Sequence, residues 1–495
     1  MTKIIWGLSA NSHNAALAAF TLKNNSLELG FASHAERFSR IKNDPHLNSE
    51  LINYAIETVG YPNSVVWYER PFQKTLRQFR AGQGWRYSEN NIKQYLKNYQ
   101  LDVPIKYVSH HHSHAANGYF TSGFDRATIV VIDSIGEWDT LSIWTARGSR
   151  LRKQWTQSYP HSIGLWYSAM TDRIGLKPNE DEYILMGMAA YGNPYRFYKE
   201  IKDTFIKRMP DDDAPTVLFK QNLHQGCKHW RPDLVTEQDH FDIAASVQML
   251  YEDMLDGILK FVTEYSPNNN LVLSGGTAMN CSANSIAYRY FDRVHIPVDP
   301  TDAGSAIGAV LATTRQQIDF RRPYTGYNID RPYADSDIIA ALLSEGIVGL
   351  ANGAAEFGAR ALGNRSLLAD PRGSDIKQRV NTIKQRQQFR PFAPVILEEH
   401  ADQYFQGITG PHMQYTARCR YPEQFPAVVH HDGTSRVQTV GEKDNPRFRK
   451  LLDRWYRETG CPMLLNTSLN IKGEPIVNTW EDALAFSNTY GVKVF

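Results

Sequence analysis

One local pattern occurs twice in this chain and narrows the folds open to it. The apolar run Ile4–Ala10 ends in a polar turn, Asn11–Asn14, and two more strands follow around a hairpin at Lys23–Ser26. From Thr128 the same order returns: an apolar strand reaching Ile132, a polar turn, then two strands split by Gly148 and Ser149. Each copy leads into helical sequence. A repeated strand–turn–hairpin predicts an internally duplicated α/β domain. Such a duplication brings the first turn, with His13, and the second, with Asp133, together over a central cleft.

The chain has 495 residues, too many for one ordinary core. Beyond the second copy, His240–Tyr265 carries apolar residues at helical spacing. Leu271–Ser274 reads as a strand running into Gly275-Gly276 and a helix start. Backbone N–H groups of such a turn can approach a phosphate or ribose, though many strand–helix turns hold glycine and no ligand. The polar, aperiodic stretch Asp319–Ser336 reads as a linker. A second α/β unit opens after it, with Ile338–Gly346 as helix and Ile347–Gly353 as strand. Domains are therefore expected at 1–325 and 326–495. No apolar run reaches the roughly 18 residues of a membrane span, and Cys227, Cys281, Cys419 and Cys461 stand far apart. Scattered thiols and no targeting segment point to a reducing cytoplasm, bacterial or that of a phage-infected host.

Two stretches concentrate chemistry. In SHHHSH, His110 and His114 are four apart, so on a helix they project from one face. Asp133 ends a buried-looking strand and Asp302 sits beside a glycine turn. Two imidazoles and two carboxylates make a fairly hard site suited to Fe²⁺, Mn²⁺ or Zn²⁺; the competing reading is a histidine-rich surface turn with unrelated aspartates. In the second α/β unit, Arg360, Arg365 and Arg372 lie on glycine-punctuated loops. Lys384, Arg386, Arg390, Arg436, Asn466, Ser468 and Asn470 follow. Glycine-flanked cations beside hydroxyl and amide donors are what phosphate groups require.

Net charge is only +2, too mild to demand a nucleic-acid partner. It is unevenly spread, however. Arg70–Lys97 interleaves seven Lys and Arg with Phe, Trp and Tyr against one Glu, the composition of a strip that tracks phosphates and stacks bases. The alternative is an exposed helix whose aromatic residues face the core.

Strings through nearly the whole chain, among them GLSANSHNAAL, HHHSHAA, VIDSIGE, LSGGTAMNC, EFGARALGNRSLLADPR, FRPFAP and LNTSLNIKGEPIV, resemble the NodU/CmcH/TobZ-type O-carbamoyltransferase family. Eleven such motifs lie in the family's order. The resemblance implies a duplicated actin-like ATPase (ASKHA) N-terminal domain and a smaller YrdC-like α/β C-terminal domain. It implies that the C-terminal domain makes carbamoyl-adenylate from carbamoyl phosphate and ATP with Mg²⁺, and that the N-terminal domain passes the carbamoyl group to a hydroxyl.

Carried over by position, the resemblance makes His110, His114, Asp133 and Asp302 the metal ligands, with Fe²⁺ first and Mn²⁺ or Zn²⁺ as alternatives. Gly275, Gly276 and Asn280 fall at the adenylate, and His13 at the general base. Lys384, Arg386, Arg390, Arg360, Arg436, Asn466 and Ser468 fall around ATP and carbamoyl phosphate. Departures are Asn14 where the family has Asp, Ala359 where it has Pro, a missing basic residue ahead of Leu185, and an end at Phe495 short of a strand many relatives carry. The acceptor is expected to be 5-hydroxymethylcytosine in DNA, favoured by the basic strip and by Asn14. The alternative is a small-molecule hydroxyl on an antibiotic, sugar or other secondary metabolite. A reading of another class is an inactive nucleotide-binding regulator. No membrane partner is expected, and a homodimer is left open.

Overall fold

The computed structural model, which describes residues 2–266 and 268–495, divides into two units. The first runs to Ala35 and then over Asp44–Phe320; the second holds Glu36–Asn43 and Arg321–Phe495. Periodicity placed the division at 325/326 and assigned Glu36–Asn43 to the first domain. That segment packs with the second unit because its arginines satisfy carbonyls there. Arg37 Nη2 donates to Gly358 O at 3.0 Å, and Arg40 donates to Ile476 O at 2.7 Å and Pro475 O at 3.1 Å.

In the first unit, β1 (Lys3–Ser9), β2 (Ala16–Lys23), β3 (Ser26–His34), β4 (Ser64–Trp67) and β5 (Ile105–Tyr107) form a sheet in the order β3-β2-β1-β4-β5. A second sheet takes β6 (Arg126–Ile132), β7 (Asp139–Arg147), β8 (Arg150–Ser158), β9 (Asn270–Ser274) and β10 (Arg293–His295) in the order β8-β7-β6-β9-β10. In both, the first strand pairs antiparallel with the second and parallel with the fourth. The duplication read from the two turns is therefore a duplication of topology. The first hairpin closes through Asn24 and Asn25, both at positive φ (51° and 63°), the residue type that tolerates this region in a tight hairpin.

Four helices position the site: α1 (Pro71–Arg80), α2 (His110–Phe120), α3 (Glu237–Tyr265) and α4 (Ser305–Thr314). α3 begins with a capping box between Thr236 and Asp239. α4 lies directly on α2, and Gly308 permits it: a Cβ there would sit 1.9 Å from Ser113 O. After β9 the chain makes a single 3₁₀ turn, Gly276–Met279, where sequence predicted the start of an α-helix. The expected linker Asp319–Ser336 contains a strand, Tyr324–Ile329, whose antiparallel partner Gly353–Glu356 is distant in sequence and invisible to local periodicity.

In the second unit, β11 (Ile347–Ala351), β12 (Arg365–Ala369), β13 (Ala393–Leu397), β14 (Gln438–Val440) and β15 (Met463–Ser468) order as β11-β12-β15-β13-β14. Each face has its own apolar core. Met463 and Leu465 join Phe392 and Ile396 in one, while Leu464 joins Trp455, Val395 and Leu368 in the other. This is the two-residue alternation of a sheet covered on both sides. Among the described residues no helix is long and apolar enough to cross a membrane.

Candidate active site

α2 opens with three consecutive histidines and owes its helix to burial, since every residue in it except His112 is buried. Its first amide is capped by a carboxylate: His110 N–H donates to both Glu137 oxygens at 3.1 Å. Glu137 also accepts Arg70 N–H at 2.7 Å. A negative group at a helix N-terminus complements the free amides there.

One turn apart, His110 and His114 aim their Nε2 atoms at one point, 3.0 Å from each other. Asp133 Oδ2 lies 3.1 Å from His110 Nε2 and 3.9 Å from His114 Nε2; Asp302 Oδ1 lies 3.2 and 3.4 Å from the same atoms. All four ligand atoms fall within 4.8 Å of one another, and no other His/Cys/Asp/Glu group among the described residues converges so. Two nitrogens and two carboxylate oxygens facing one point fit a divalent ion with bonds of about 2.0–2.2 Å. Burial by itself depresses the His110 imidazole, but Asp302 and Asp133 outweigh it and its pKa lies well above the ordinary value. Burial opposes ionisation of Asp302, yet His110 and His114 hold its carboxyl far below the usual range. Asp133 is likewise lowered: burial and Asp302 oppose, and the imidazoles prevail.

Around this cluster stand groups that sequence reading passed over. Tyr68, just past β4, is fully buried, and its ring centroid lies 5.2 Å from that of His110. Among the described residues its phenol oxygen has no hydrogen-bond partner of good geometry, and the Ser12 hydroxyl is beside it. Ser12 belongs to the turn that carries His13, whose buried Nε2 also lacks a partner, as does Asn14 Oδ1. His111 points elsewhere: its Nδ1 is 2.7 Å from Ser142 Oγ, and burial pushes its pKa down to about 3.

The double-glycine turn reaches the cluster through Asp133. Gly275 adopts φ +92°, and a Cβ there would be 2.2 Å from Ile132 O. Gly276 N–H then donates to Asp133 Oδ1 at 3.2 Å, which orients that carboxylate. Asn280 is buried in a reciprocal amide pair with Gln248 (3.1 and 2.9 Å) and accepts Ala283 N–H at 3.2 Å. That leaves it a single Nδ2 hydrogen for any ligand.

In the second unit, Lys384 Nζ reaches the end of β15, donating to Asn470 O and Oδ1 at 2.9 Å and to Ser468 Oγ at 3.3 Å. Burial, then the charges of Arg386 and Arg390, lower its pKa well below the ordinary lysine value. Arg386 lies over the Phe392 ring at 4.2 Å and donates to Asn381 Oδ1 at 2.6 Å. Asn466 donates to Ala361 O at 3.1 Å and Gln438 Oε1 at 2.7 Å, tying β15 to β14 and to the loop that carries Arg360. Arg436, two residues before Gln438, has a buried Nε without a partner. Two arginines that looked equivalent to these are structural. Arg365 is fully buried and donates to the carbonyls of Tyr327, Asn352, Gly353, Asn364 and Asn478, and Arg372 pairs with Asp370 at 2.7 Å.

The basic-aromatic strip is turned inside out relative to an ordinary amphipathic helix. Lys74 and Arg77 of α1 are buried; Lys74 Nζ donates to Glu69 at 2.7 Å and to Asn11 O at 2.9 Å. Phe72, Phe79, Trp85 and Tyr87 are instead more than half exposed (55–58%). Phe79 packs edge-on against Trp85 at 5.8 Å, and Trp85 lies nearly parallel to Tyr87 at 6.5 Å. The reading that put these aromatic residues in the core is thus corrected, because Glu69 and a turn carbonyl draw the cations inward.

Residues 67–311 match the family described as Carbamoyltransferase N-terminus, and residues 339–495 match Carbamoyltransferase C-terminus. An uncharacterized protein of Synechocystis sp. is 33% identical over 98% of this chain and 94% of its own length. The nodulation protein NolNO of Sinorhizobium fredii is 30% identical, covering 92% of this chain and 74% of that protein. The 3'-hydroxymethylcephem-O-carbamoyltransferase of Amycolatopsis lactamdurans is 33% identical over 64% of each chain. The chain belongs to the carbamoyltransferase family. It is a transferase enzyme, which sets aside the inactive regulator.

Proposed function

We propose that this transferase is a two-step, ATP-dependent O-carbamoyltransferase, with an actin-like first unit that transfers and a YrdC-like second unit that activates. The convergence of His110, His114, Asp133 and Asp302 carries the proposal. Water hydrolyses carbamoyl phosphate to carbamate and phosphate. A carbamate oxygen then attacks the α-phosphorus of ATP, pyrophosphate leaves, and carbamoyl-adenylate results. Lys384, Arg386, Arg390, Arg360 and Arg436 neutralise the charge that builds on the departing phosphates, with Asn466 and Ser468 positioning them. Gly275, Gly276 and Asn280 hold the adenylate. Fe²⁺ in the four-ligand cluster supplies Lewis acidity and charge neutralisation when bound. His13 Nε2 takes the proton of the acceptor hydroxyl as its oxygen attacks the carbamoyl carbon. AMP leaves with the electron pair of the broken C–O bond.

The hydroxymethylcephem activity named for the Amycolatopsis lactamdurans relative supports a small-molecule alcohol as acceptor. A second reading, 5-hydroxymethylcytosine in DNA, is favoured by the exposed rings of Phe79, Trp85 and Tyr87 beside the exposed cations Arg80 and Arg86. The test incubates the protein with ATP, Mg²⁺, carbamoyl phosphate and Fe²⁺, adding a hydroxymethylcephem in one reaction and a hydroxymethylcytosine oligonucleotide in another. A mass gain of one carbamoyl group on either probe supports the reaction and identifies the acceptor. No AMP in either reaction defeats the proposal. Oligonucleotide modification that ignores salt counts against the DNA reading.

A further inference from the structure

We infer that the Tyr68 hydroxyl contacts the carbamoyl group during transfer, donating a hydrogen bond to its carbonyl oxygen. The inference rests on the transfer reaction proposed above and adds a residue to it.

Tyr68 is 0% exposed, and its phenol oxygen is a buried polar atom that no group among the described residues satisfies with good geometry. Leaving such a group unpaired costs about 1–3 kcal/mol, a cost that a ligand at the same place removes. Its location is fixed from both sides. Tyr68 N–H donates to Leu8 O at 3.1 Å, and Ser113 Oγ of α2 donates to Tyr68 O at 3.1 Å. The ring rests on His110, and the hydroxyl neighbours Ser12 in the turn that presents His13. Tyr68 therefore bridges the proton acceptor and the ligand cluster, the two places that the acceptor oxygen and the carbamoyl group must reach together. The indoles of Trp6, Trp67 and Trp166 also hold buried N–H groups without a partner among the described residues, but Trp67 meets Tyr68 and Tyr95, and Trp166 meets Tyr167 and Phe219, rather than the histidines of the cluster.

The step is balanced without oxidation or reduction. The acceptor oxygen bonds to the carbamoyl carbon while its proton passes to His13, and the carbonyl π pair moves onto the carbonyl oxygen. That pair returns as the carbon–phosphate-oxygen bond breaks and AMP departs. Tyr68 donates its hydrogen bond while the negative charge stands on the carbonyl oxygen; it keeps its proton and enters no covalent bond.

Tyr68→Phe removes the hydroxyl and keeps the ring on His110. The full chain, loaded with Fe²⁺, is given ATP, Mg²⁺, carbamoyl phosphate and the hydroxymethyl probe that the unsubstituted chain modifies. Metal content, acceptor KM and first-turnover pyrophosphate formation are expected to match the unsubstituted chain, while kcat for carbamoylation falls about 100-fold, the scale of losing one oxyanion donor. An unchanged kcat overturns the inference. So does a parallel loss of metal and transfer, which would make Tyr68 a packing residue. Pyrophosphate formation with neither probe modified by the unsubstituted chain removes the transfer reading, and this inference with it.

Discussion

His110 and His114 face each other with their Nε2 atoms 3.0 Å apart, and Asp302 Oδ1 is 3.2 and 3.4 Å from the pair. Two ring nitrogens that close repel unless a cation or a shared proton lies near them. The raised pKa of His110 and the lowered pKa of Asp302 describe the protonated solution; a divalent ion is the other. His114→Ala should lose metal by elemental analysis and lose carbamoyl transfer, while pyrophosphate formation survives. If pyrophosphate formation fails with it, the assignment of activation and transfer to separate units is wrong.

The same shifts set a pH window for the metal-free protein. The raised pKa of His110 means its contribution is complete below the ordinary imidazole value near 6.5 and lost as pH climbs through the raised value. Asp133 and Asp302 contribute above about pH 4 and lose their effect as pH falls. His111 adds an acid-side loss. With a folded pKa of about 3 it contributes fully above about 6.5, and that contribution drains away on acidification toward 3. Chelated protein should therefore melt at falling temperature above neutrality, and Fe²⁺ should abolish that alkaline loss. His111→Gln should flatten the acid limb between about pH 6.5 and 3. Calorimetry across this range checks both limbs.

Gly275→Ala tests whether the glycine turn serves the ligand beside it. A Cβ 2.2 Å from Ile132 O must move β9 or β6, and the backbone is already at φ +92°. A cost above about 3 kcal/mol is expected for a clash of this kind at a left-handed position. The Gly276 N–H bond to Asp133 should be disturbed too, so metal affinity falls further than stability alone explains. A variant that melts lower yet binds metal unchanged would confine Gly275 to packing.

The convergence of His110, His114, Asp133 and Asp302 was readable because two of its members lie one helical turn apart in a single motif, and the doubled sheet because each copy announces itself with an apolar strand and a polar turn. Tyr68 was not, since one tyrosine at the end of an apolar strand looks like core. Glu36–Asn43 carries no periodicity linking it to Gly358 or Ile476, hundreds of residues away. The strip at α1 was misjudged because its orientation depends on Glu69 and on the carbonyl of Asn11, which accept Lys74 from outside the helix. Among the arginines of the second unit, spacing does not separate a guanidinium that backbone carbonyls saturate, as in Arg365, from one that rests on an aromatic ring, as Arg386 does on Phe392.

That difference supports a paired prediction. Arg365 donates to five backbone carbonyls from a fully buried site, a geometry that needs the planar fork of arginine. Arg365→Lys should destabilise the second unit by about 2–4 kcal/mol, as buried acceptors lose their donors. Among molecules that remain folded, pyrophosphate formation should keep its KM for ATP. Arg386 is only half-buried and rests on Phe392, so Arg386→Lys keeps the charge with a smaller effect on melting. It should raise the KM for ATP and lower the rate of pyrophosphate release while the first unit retains its metal. Melting curves set beside pyrophosphate kinetics for the two variants decide the matter. If Arg386→Lys costs stability but leaves the kinetics intact, Arg386 belongs with Arg365 as part of the scaffold.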